Sequence, residues 1–587
     1  MKNLKALRAS RREFIKNTGR SALVLSAWDT VLSSLLLAQS STAQAQTVGQ
    51  FKSFLHVDMF GSPPRWLWDL FLNPTNDPNL YVPSKMVTNC YTGSTSYTDA
   101  FSNLVRYAPT GHFVPHLWSQ NVPAFGGGTI PASNLLQNMF NIRGIDVVNA
   151  GHPGASELHQ AAVVGAPTTS SMTADRAQTL PANPVQNIIR ALALNPTPAA
   201  IFKSQAGYNQ IRFDARGGIN NLSQMFSTLQ PVSVANNYNN VFVNNKTVLN
   251  SDLNQALSAM QPGSAQYYKS LIESFSRSQS ILTDASVTVF SDLNTQWDNL
   301  YNKYKSLIQR TLAGTYAGIN DKPIGRTPTG TPDTNPEWRR YLYETGAFAQ
   351  NKNASGVVDL RGILSTANYD RLAAQFAVTE FLMVRNITPS IHLLLSTFDG
   401  LTFNNGTANV LRSFVFDQHI QGIMPYIYLN SMYYLSLTSC LLELIRVLKQ
   451  NNLFNDTLIY LSSEFNRSAR TDGSGSDHAA PAAHVSLLSG RIPQFKLVGN
   501  IFKDSAGVGS AFSANYKGTW GHGAPINGAP LNILQVWASI MVLLGKPISE
   551  LPNAINRDQL LFRTAGSFAL ASGYNGAPQN VVNASKV

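Results

Sequence analysis

Residues 457–478 read TLIYLSSEFNRSARTDGSGSDH. The stretch opens with Thr457–Ser462, a short apolar run whose length and composition indicate a buried strand. An ionisable side chain, Glu464, comes just beyond this strand. A loop rich in glycine and serine then leads to the pair Asp477-His478. A buried strand that ends in ionisable groups is the pattern from which we predict both the fold and the functional site.

The same pattern recurs along the chain. Further strands are predicted at Phe51–Phe60, Ile145–Ala150 and Ser390–Ser396, and helices at Tyr369–Met383, Tyr426–Gln450 and Leu531–Gly545. Buried strands that alternate with helices are typical of an α/β fold whose central sheet is covered by helices on both faces. Residues Ser264–Leu312 predict two more helices, in a largely helical insertion of about residues 230–350 that packs on the surface.

The N-terminal residues have the three parts of a bacterial export signal. Ser10–Lys16 (SRREFIK) resembles the twin-arginine motif, an apolar stretch follows at Ala22–Ala38, and Ala43–Ala45 is a small-residue cleavage site. This resemblance implies that the twin-arginine machinery exports the folded protein, with cleavage after Ala45, so that the protein is periplasmic or secreted. The chain then divides into a signal peptide at 1–45, a single α/β domain at 46–570 and a polar tail at 571–587.

Composition narrows the classes of partner. The net charge of the 587 residues is +12, of which residues 1–45 contribute +5, so the mature chain is near +7. No dense cluster of lysine and arginine is interleaved with aromatic residues, which argues against a nucleic-acid partner. No uninterrupted apolar run beyond residue 45 matches a stable membrane span. The two cysteines, Cys90 and Cys440, are compatible with one disulfide or with two buried thiols.

Two short segments carry a resemblance to a known family. Ser463–Arg467 (SEFNR) followed by Asp477-His478 resembles a segment of the exported bacterial family called domain of unknown function 1501. Weaker similarities occur in the same order along the chain, at Ser156–His159, Ser396–Asp399, Asp417–His419 and Asn532–Gly545. The resemblance implies the fold of the alkaline phosphatase and arylsulfatase superfamily, whose members hydrolyse phosphate or sulfate esters with metals bound by Asp and His.

The chain departs from the family pattern at three positions. Asn466 stands where the family has glycine, and Gly400-Leu401 replace a Thr-His pair after Asp399. In addition, Gly61 occupies the position of the sulfatase nucleophile, ahead of prolines and an arginine. No formylglycine-type nucleophile can form at a glycine, which argues against sulfatase chemistry.

The polar residues beyond the strands are the candidate metal ligands. Ester hydrolysis of this kind uses metal ions to activate a nucleophile and to hold the leaving oxygen. The candidate ligands are Asp58, Asp399, His419, Glu464, Asp477, His478 and His522. Imidazoles and carboxylates suit zinc or manganese, and all-oxygen sites suit magnesium or calcium. The alternative is structural, with Glu464 paired to an arginine and the histidines held within loops.

Two further sets of residues have a functional and a structural interpretation. Arg467 and Arg470 suit a bound tetrahedral anion, such as a small anionic substrate, or else form salt bridges with nearby carboxylates. His152 and His159 flank Glu157, in what we predict to be a loop, and act either in acid–base catalysis or in a supporting hydrogen-bond network. His112, His116 and His484 are interpreted as structural.

These observations leave two hypotheses for the function. The first is an exported metal-dependent hydrolase of phosphate or sulfate esters. The second is a catalytically silent member of the same fold that serves in binding or assembly in the periplasm or at the cell surface. The cluster Glu464, Asp477 and His478 favours the first hypothesis, and the missing nucleophile favours the second.

Overall fold

A computed structural model describes residues 49–62, 67–68, 71–74, 104–147, 151–176, 189–195, 200–205, 210–215, 286–317, 319, 360–395, 398–404, 409–412, 416–417, 423–469, 476–478, 482–502, 523–524, 526, 531–574 and 581–582. The export signal and its cleavage site lie outside the described residues, as do Cys90, His419, Arg470 and His522. Asp477 is described by its backbone alone. All described residues fall within one compact unit of the chain.

The strands are β1 (Ser53–Met59), β2 (Leu104–Arg106), β3 (Phe113–Pro115), β4 (Asn121–Pro123), β5 (Thr129–Pro131), β6 (Met139–Asp146), β7 (Leu192–Leu194), β8 (Ile211–Phe213), β9 (Ser390–Leu395), β10 (Leu401–Asn404), β11 (Asn409–Arg412), β12 (Thr457–Ser463), β13 (Arg467–Ala469), β14 (Ser476–His478), β15 (Ala482–Leu488), β16 (Lys496–Val498), β17 (Asn500–Phe502), β18 (Gly523–Ala524), β19 (Leu531–Asn532) and β20 (Val581–Val582). The α-helices are α1 (His152–Gln160), α2 (Thr169–Arg176), α3 (Ser286–Ala313), α4 (Leu360–Ser365), α5 (Asp370–Val384), α6 (Ile423–Gln450) and α7 (Ile533–Leu543). Short 3-10 turns lie at His116–Ser119, Ala132–Asn138, Phe454–Asp456, Ile548–Glu550, Arg557–Gln559 and Ser572–Tyr574.

The central sheet has nine strands and mixes parallel and antiparallel pairs. Its order is β16-β6-β15-β12-β1-β9-β7-β8, with β19 also paired to β6. The run from β12 through β1, β9 and β7 to β8 is parallel, whereas β15 lies antiparallel to both β12 and β6. The central strands are buried along their whole length, as expected for a sheet covered on both faces. The predicted α/β class is therefore confirmed in the form of a mixed sheet with helices.

Helices cover both faces of this sheet. On β1, Leu55, Val57 and Met59 point into one apolar core, and Phe54 points into the other. Helices α3, α5 and α6 contribute to the first core, whereas α1, α2 and α7 contribute to the second. Because side chains alternate along a strand, the residues at His56 and Asp58 face the second core, on the same side as α1.

Three predicted elements differ from the structure. The strand predicted at Ile145–Ala150 runs over Met139–Asp146 instead. The predicted loop that carries His152 and His159 is helix α1, since Pro153 is well placed in a first helical turn. In the predicted surface insertion, the described part is one helix, α3, whose buried face belongs to the first core through Trp297, Tyr304, Leu307 and Ile308.

Three features that the sequence analysis considered also have a place in the structure: a long apolar run, a cysteine and the polar tail. One helix among the described residues, Tyr428–Gln450, has the length and the apolar composition to cross a membrane. However, 94% of its most apolar 18-residue stretch is buried inside the protein. Cys440 lies in this buried helix as a free thiol. Within the predicted polar tail, Val581–Val582 pairs in parallel with β17.

Candidate metal centres

Helix α1 presents three polar side chains to the carboxyl ends of β1 and β12. His152, Ser156 and His159 are spaced four and three residues apart, so they share one helix face. The Ser156 hydroxyl donates to Asp58 Oδ2 at 2.9 Å, and His152 Nδ1 lies 3.1 Å from Glu464 Oε2. The helix thus connects the polar groups at the ends of the two strands.

Three side chains form what we call the outer group: His152, Asp417 and His478. One ligand atom of each lies within 4.8 Å of the others, close enough to hold a metal ion. His152 Nε2 is 3.3 Å from Asp417 Oδ2, and His478 Nε2 is 3.6 Å from Asp417 Oδ1. Their side chains are 17%, 36% and 19% exposed, respectively, so a molecule in solution can reach this group.

Glu464 lies directly behind the outer group. Its Oε2 accepts hydrogen bonds from the backbone N–H of Gly61 at 2.8 Å and from the Ser62 hydroxyl at 2.7 Å, in addition to the contact with His152. Its other oxygen, Oε1, is buried and has no hydrogen-bond partner among the described residues. Burial raises the pKa of Glu464, although the hydrogen bond with His152 opposes this shift.

The carboxylates around His152 stabilise its protonated form. Burial acts to lower the pKa of His152, but the hydrogen bonds to Asp417 and Glu464, together with their charges, outweigh burial and raise it to about 9. Without a metal ion, the outer group is therefore an ion cluster in which an imidazolium neutralises part of the negative charge.

Arg467 holds Asp417 in place and is not accessible to a bound anion. Its guanidinium is fully buried. Nε and Nη2 donate to the carbonyl of Gly61, Nε also donates to the carbonyl of Ser62, and Nη2 forms an ion pair with Asp417. Of the two interpretations of Arg467, these contacts favour the salt bridge over a bound anion, and Asp417 is the acidic partner.

A second set of three side chains, the inner group, comprises His56, Asp58 and His392. One ligand atom of each again lies within 4.8 Å of the others, and all three residues are fully buried. His392 lies directly opposite His56 in the pairing of β9 with β1, and the two rings stack with centroids 4.6 Å apart. His392 Nε2 is 3.3 Å from Asp58 Oδ2.

The charge states of the inner group are linked. Burial lowers the pKa of His56 well below its ordinary value, and the neighbouring His392 adds to this effect. Burial acts to raise the pKa of Asp58, but the hydrogen bond from His392 and the nearby imidazoles outweigh it, so this pKa is lowered. Asp58 is therefore a carboxylate beside His56, an imidazole that burial keeps neutral.

The predicted ligands are thus divided between different places. Asp58 belongs to the inner group, His478 to the outer group, and Glu464 contacts the outer group through His152. Asp399 joins neither group, because its carboxylate lies 3.5 Å from Arg371 and its backbone pairs with Asn368. Asp477 lies on β14, next to His478, and its backbone pairs with Ser468.

Four members of the two groups were not predicted as metal ligands: His56, His392, His152 and Asp417. Two sequence signals point to some of them. His56 and Asp58 alternate within a buried strand, which places them on one face, and His152 has helical spacing to Ser156 and His159. His392 lies inside a buried strand, where a histidine has no local signal of its own.

The remaining histidines among the described residues have structural surroundings. His159 Nδ1 lies 2.9 Å from the Tyr460 hydroxyl and Nε2 lies 3.3 Å from the carbonyl of Glu464, which supports the interpretation of a supporting network. His112 is near Thr110, and burial lowers its pKa to about 4. His116 contacts the carbonyl of Ala317, and His484 is buried in β15.

The two groups share a donor set of two imidazoles and one carboxylate, and each could hold a metal ion. They differ in access, since the outer group is partly exposed and the inner group is buried. No protein-family model matches this chain, and no curated protein matches it. The family resemblance therefore rests on the motif residues alone.

Proposed function

We propose that the protein is an exported, metal-dependent hydrolase of phosphate or sulfate esters whose catalytic centre is the outer group. The main support is that His152, Asp417 and His478 lie close enough together to bind one metal ion. They do so at a partly exposed position beyond the ends of parallel strands. The resemblance of Ser463–Arg467 and the following Asp477-His478 to the exported family is a second, independent support.

The donor set fits a divalent transition metal. Two imidazoles with one carboxylate favour zinc or manganese over magnesium and calcium, which prefer sites made of oxygen atoms alone. The buried Oε1 atom of Glu464 has no hydrogen-bond partner among the described residues. The other oxygen of the same carboxylate, Oε2, contacts His152, which is one of the three proposed ligands. When bound, such an ion polarises an ester oxygen and lowers the pKa of a coordinated water.

The surrounding residues hold the outer group in position. Glu464 contacts Nδ1 of His152, which directs Nε2 of the same ring towards Asp417. Arg467, which the carbonyls of Gly61 and Ser62 hold in place, forms an ion pair with Asp417 from the other side. Ligand side chains that are anchored by buried partners keep their geometry when a substrate binds.

The alternative function is a catalytically silent protein of the same fold, active in binding or assembly. Two observations favour it. Gly61 stands where the related sulfatases have their nucleophile, and the one described arginine of the predicted anion site is buried in an ion pair. In this alternative, the outer group is an ion cluster that fixes α1 to β14 and to the segment before α6.

The cellular location is part of the same proposal. The twin-arginine pattern in Ser10–Lys16 favours export of the folded protein to the periplasm or beyond, with the translocation machinery as a transient partner. Export after folding suits a protein that acquires a metal ion in the cytoplasm.

The function is tested by metal content and by hydrolysis. We expect the full chain to bind zinc or manganese and to hydrolyse p-nitrophenyl phosphate or p-nitrophenyl sulfate. His152→Gln and His478→Gln should each weaken metal binding and lower hydrolysis by about 100-fold or more, because each removes a ligand. The measurements are metal-to-protein ratio by mass spectrometry and release of p-nitrophenol.

His116→Gln is the matched control, since this histidine contacts a backbone carbonyl away from both groups. It should keep the metal content and the activity of the unmodified chain. Unchanged metal content in both His152→Gln and His478→Gln would remove the outer group as a metal centre. Metal that depends on these histidines without hydrolysis of either ester would favour the silent alternative.

A further inference from the structure

Phe125 is held in an exposed position at the tip of the β4–β5 hairpin. It is 53% exposed, and Phe125 and Val164 are the two large apolar residues that are exposed among the described residues. The tip reads Ala124–Gly128 (AFGGG), and a Cβ added at any of its three glycines would meet no atom of the described residues within 4 Å. The tip therefore projects from the protein and presents one aromatic ring to the solvent.

Two helices fix the base of this hairpin. Arg310 of α3 donates to the carbonyl of Ala124 at 2.8 Å and to the carbonyl of Gly128 at 2.6 Å. Ser439 of α6 donates to the carbonyl of Pro123 at 2.8 Å. These hydrogen bonds hold the backbone on both sides of the tip, so the fold itself sets the position of the ring.

The Phe125 ring also lies against two basic side chains. Its centroid is 5.6 Å from Lys303 Nζ and 5.9 Å from Arg446 Cζ, distances at which a cation is attracted to an aromatic ring. An aromatic side chain that is already held in place loses little conformational entropy when a partner covers it. The exposed face of Phe125 is therefore suited to contact with a partner.

A groove of about 210 Å³ lies next to this ring, between the 3-10 turn at Ala132–Asn138 and the end of α6. Leu135, Leu442 and Ile445 line it and are buried, so its floor is apolar, whereas its rim carries side-chain amides and basic groups. Arg446 lines the groove and also contacts the Phe125 ring. The ring and the groove thus form one continuous surface, which we call the hairpin surface.

The hairpin surface carries positive charge that the described residues do not neutralise. Glu443 accepts hydrogen bonds from Arg446 at 2.8 Å, but Lys449 and Arg310 have no carboxylate partner among the described residues. Lys449 Nζ instead contacts Asn138 Oδ1 at 3.0 Å, and partial burial lowers the pKa of this lysine. A carboxylate at the rim of the groove would stabilise the charged form of Lys449.

We propose that the hairpin surface binds an acidic peptide segment of a partner protein. An apolar side chain of that segment occupies the groove beside Phe125, and its carboxylates lie near Lys449 and Arg446. Charge complementarity of this kind favours acidic partners and rejects basic ones, and exposed aromatic and arginine side chains are enriched in protein interfaces. None of the residues that line the groove belongs to the outer group, so the proposal does not depend on hydrolase activity.

The test is the binding of two fluorescein-labelled peptides to the full chain, measured by fluorescence anisotropy. In the first peptide, a leucine and a phenylalanine are flanked by glutamates, and in the second they are flanked by lysines. We expect the acidic peptide to bind at least about tenfold more tightly, with an affinity that falls as salt is added. Phe125→Ala and Lys449→Glu should each weaken its binding by about tenfold or more.

Arg563→Glu is the matched control for the reversal of charge. Arg563 is exposed and lies between Leu561 and Phe562 of the second core, whereas the groove is built on the first core. This variant should bind the acidic peptide as the unmodified chain does, and thermal unfolding checks that every variant is folded.

Three results would overturn the proposal. The first is that the acidic peptide does not bind, or binds no more tightly than the basic one. The second is an affinity that neither Phe125→Ala nor Lys449→Glu changes. The third is that vesicles of phosphatidylglycerol bind through Phe125 and Lys449 while the acidic peptide does not, which would assign the surface to an anionic membrane instead.

Discussion

Gly61→Ala is expected to destabilise the protein by about 3 kcal/mol or more and to displace Asp417 from the outer group. Gly61 has φ +108°, a conformation that side chains disfavour. A Cβ atom there would lie 2.9 Å from Phe416 Cβ and 3.0 Å from the backbone nitrogen of Asp417. The N–H of Gly61 donates to Glu464, and its carbonyl accepts from Arg467. A shift of this backbone therefore moves both Glu464, which contacts His152, and Arg467, which pairs with Asp417.

The measurement for this variant is the free energy of unfolding in urea, together with zinc content. Gly127→Ala is the matched control, because Gly127 has φ +111° but no atom of the described residues lies within 4 Å of the position that an added Cβ would take. In the control, only the backbone conformation lowers the free energy of unfolding. The difference in free energy of unfolding between the two variants therefore measures the clash with Phe416 and Asp417. Equal losses of stability in the two variants, with zinc retained in Gly61→Ala, would contradict the expectation that the backbone at Gly61 holds the outer group in position.

Lys303→Ala is expected to cost about 3–5 kcal/mol of folding free energy, because it leaves the buried carboxylate of Glu380 without a cationic partner among the described residues. Lys303 Nζ lies 2.6 Å from Glu380 Oε1 and 3.2 Å from Glu443 Oε1, and all three side chains are buried. The neighbouring Tyr304 hydroxyl also donates to Glu380. These contacts join α3 to α5 and α6 within the first core.

Lys305→Ala is the control on the same helix. Its ion pair with Asp370 spans 3.2 Å, but the two side chains are 33% and 45% exposed, so the expected loss is about 0–1 kcal/mol. Lys303→Met/Glu380→Met should recover most of the stability lost in Lys303→Ala, since it removes the lysine and one of the carboxylates together. A loss in Lys303→Ala no larger than in Lys305→Ala would show that the buried network contributes little. Thermal and urea unfolding of the four proteins provide the comparison.

Local sequence patterns predicted the central elements well. The predicted helix Tyr426–Gln450 begins three residues later than α6, and the predicted strand Thr457–Ser462 ends one residue before β12. The predicted loop that carries His152 and His159 is wrong, because this segment forms α1. Proline is well tolerated in the first turn of a helix, where its missing N–H has no helical acceptor.

The candidate sites were only partly predictable. Asp58, Glu464 and His478 were identified from their positions beyond or within strands, and each contacts one of the two groups. Asp399 met the same criterion but pairs with Arg371. A position at the end of a strand therefore identifies side chains near the correct edge of the sheet, but does not determine which of them face one another.

The sequence by itself identified the central strands β1, β9 and β12 and the helices α5, α6 and α7, because burial of apolar side chains follows a periodicity that is visible over a few residues. It also indicated that ionisable groups gather near the ends of the strands. Only the tertiary structure decided that His56 stacks on His392 and that His152 meets Asp417 and His478. These contacts join residues hundreds of positions apart, and they depend on strand order, register and the packing of α1, which no local pattern encodes.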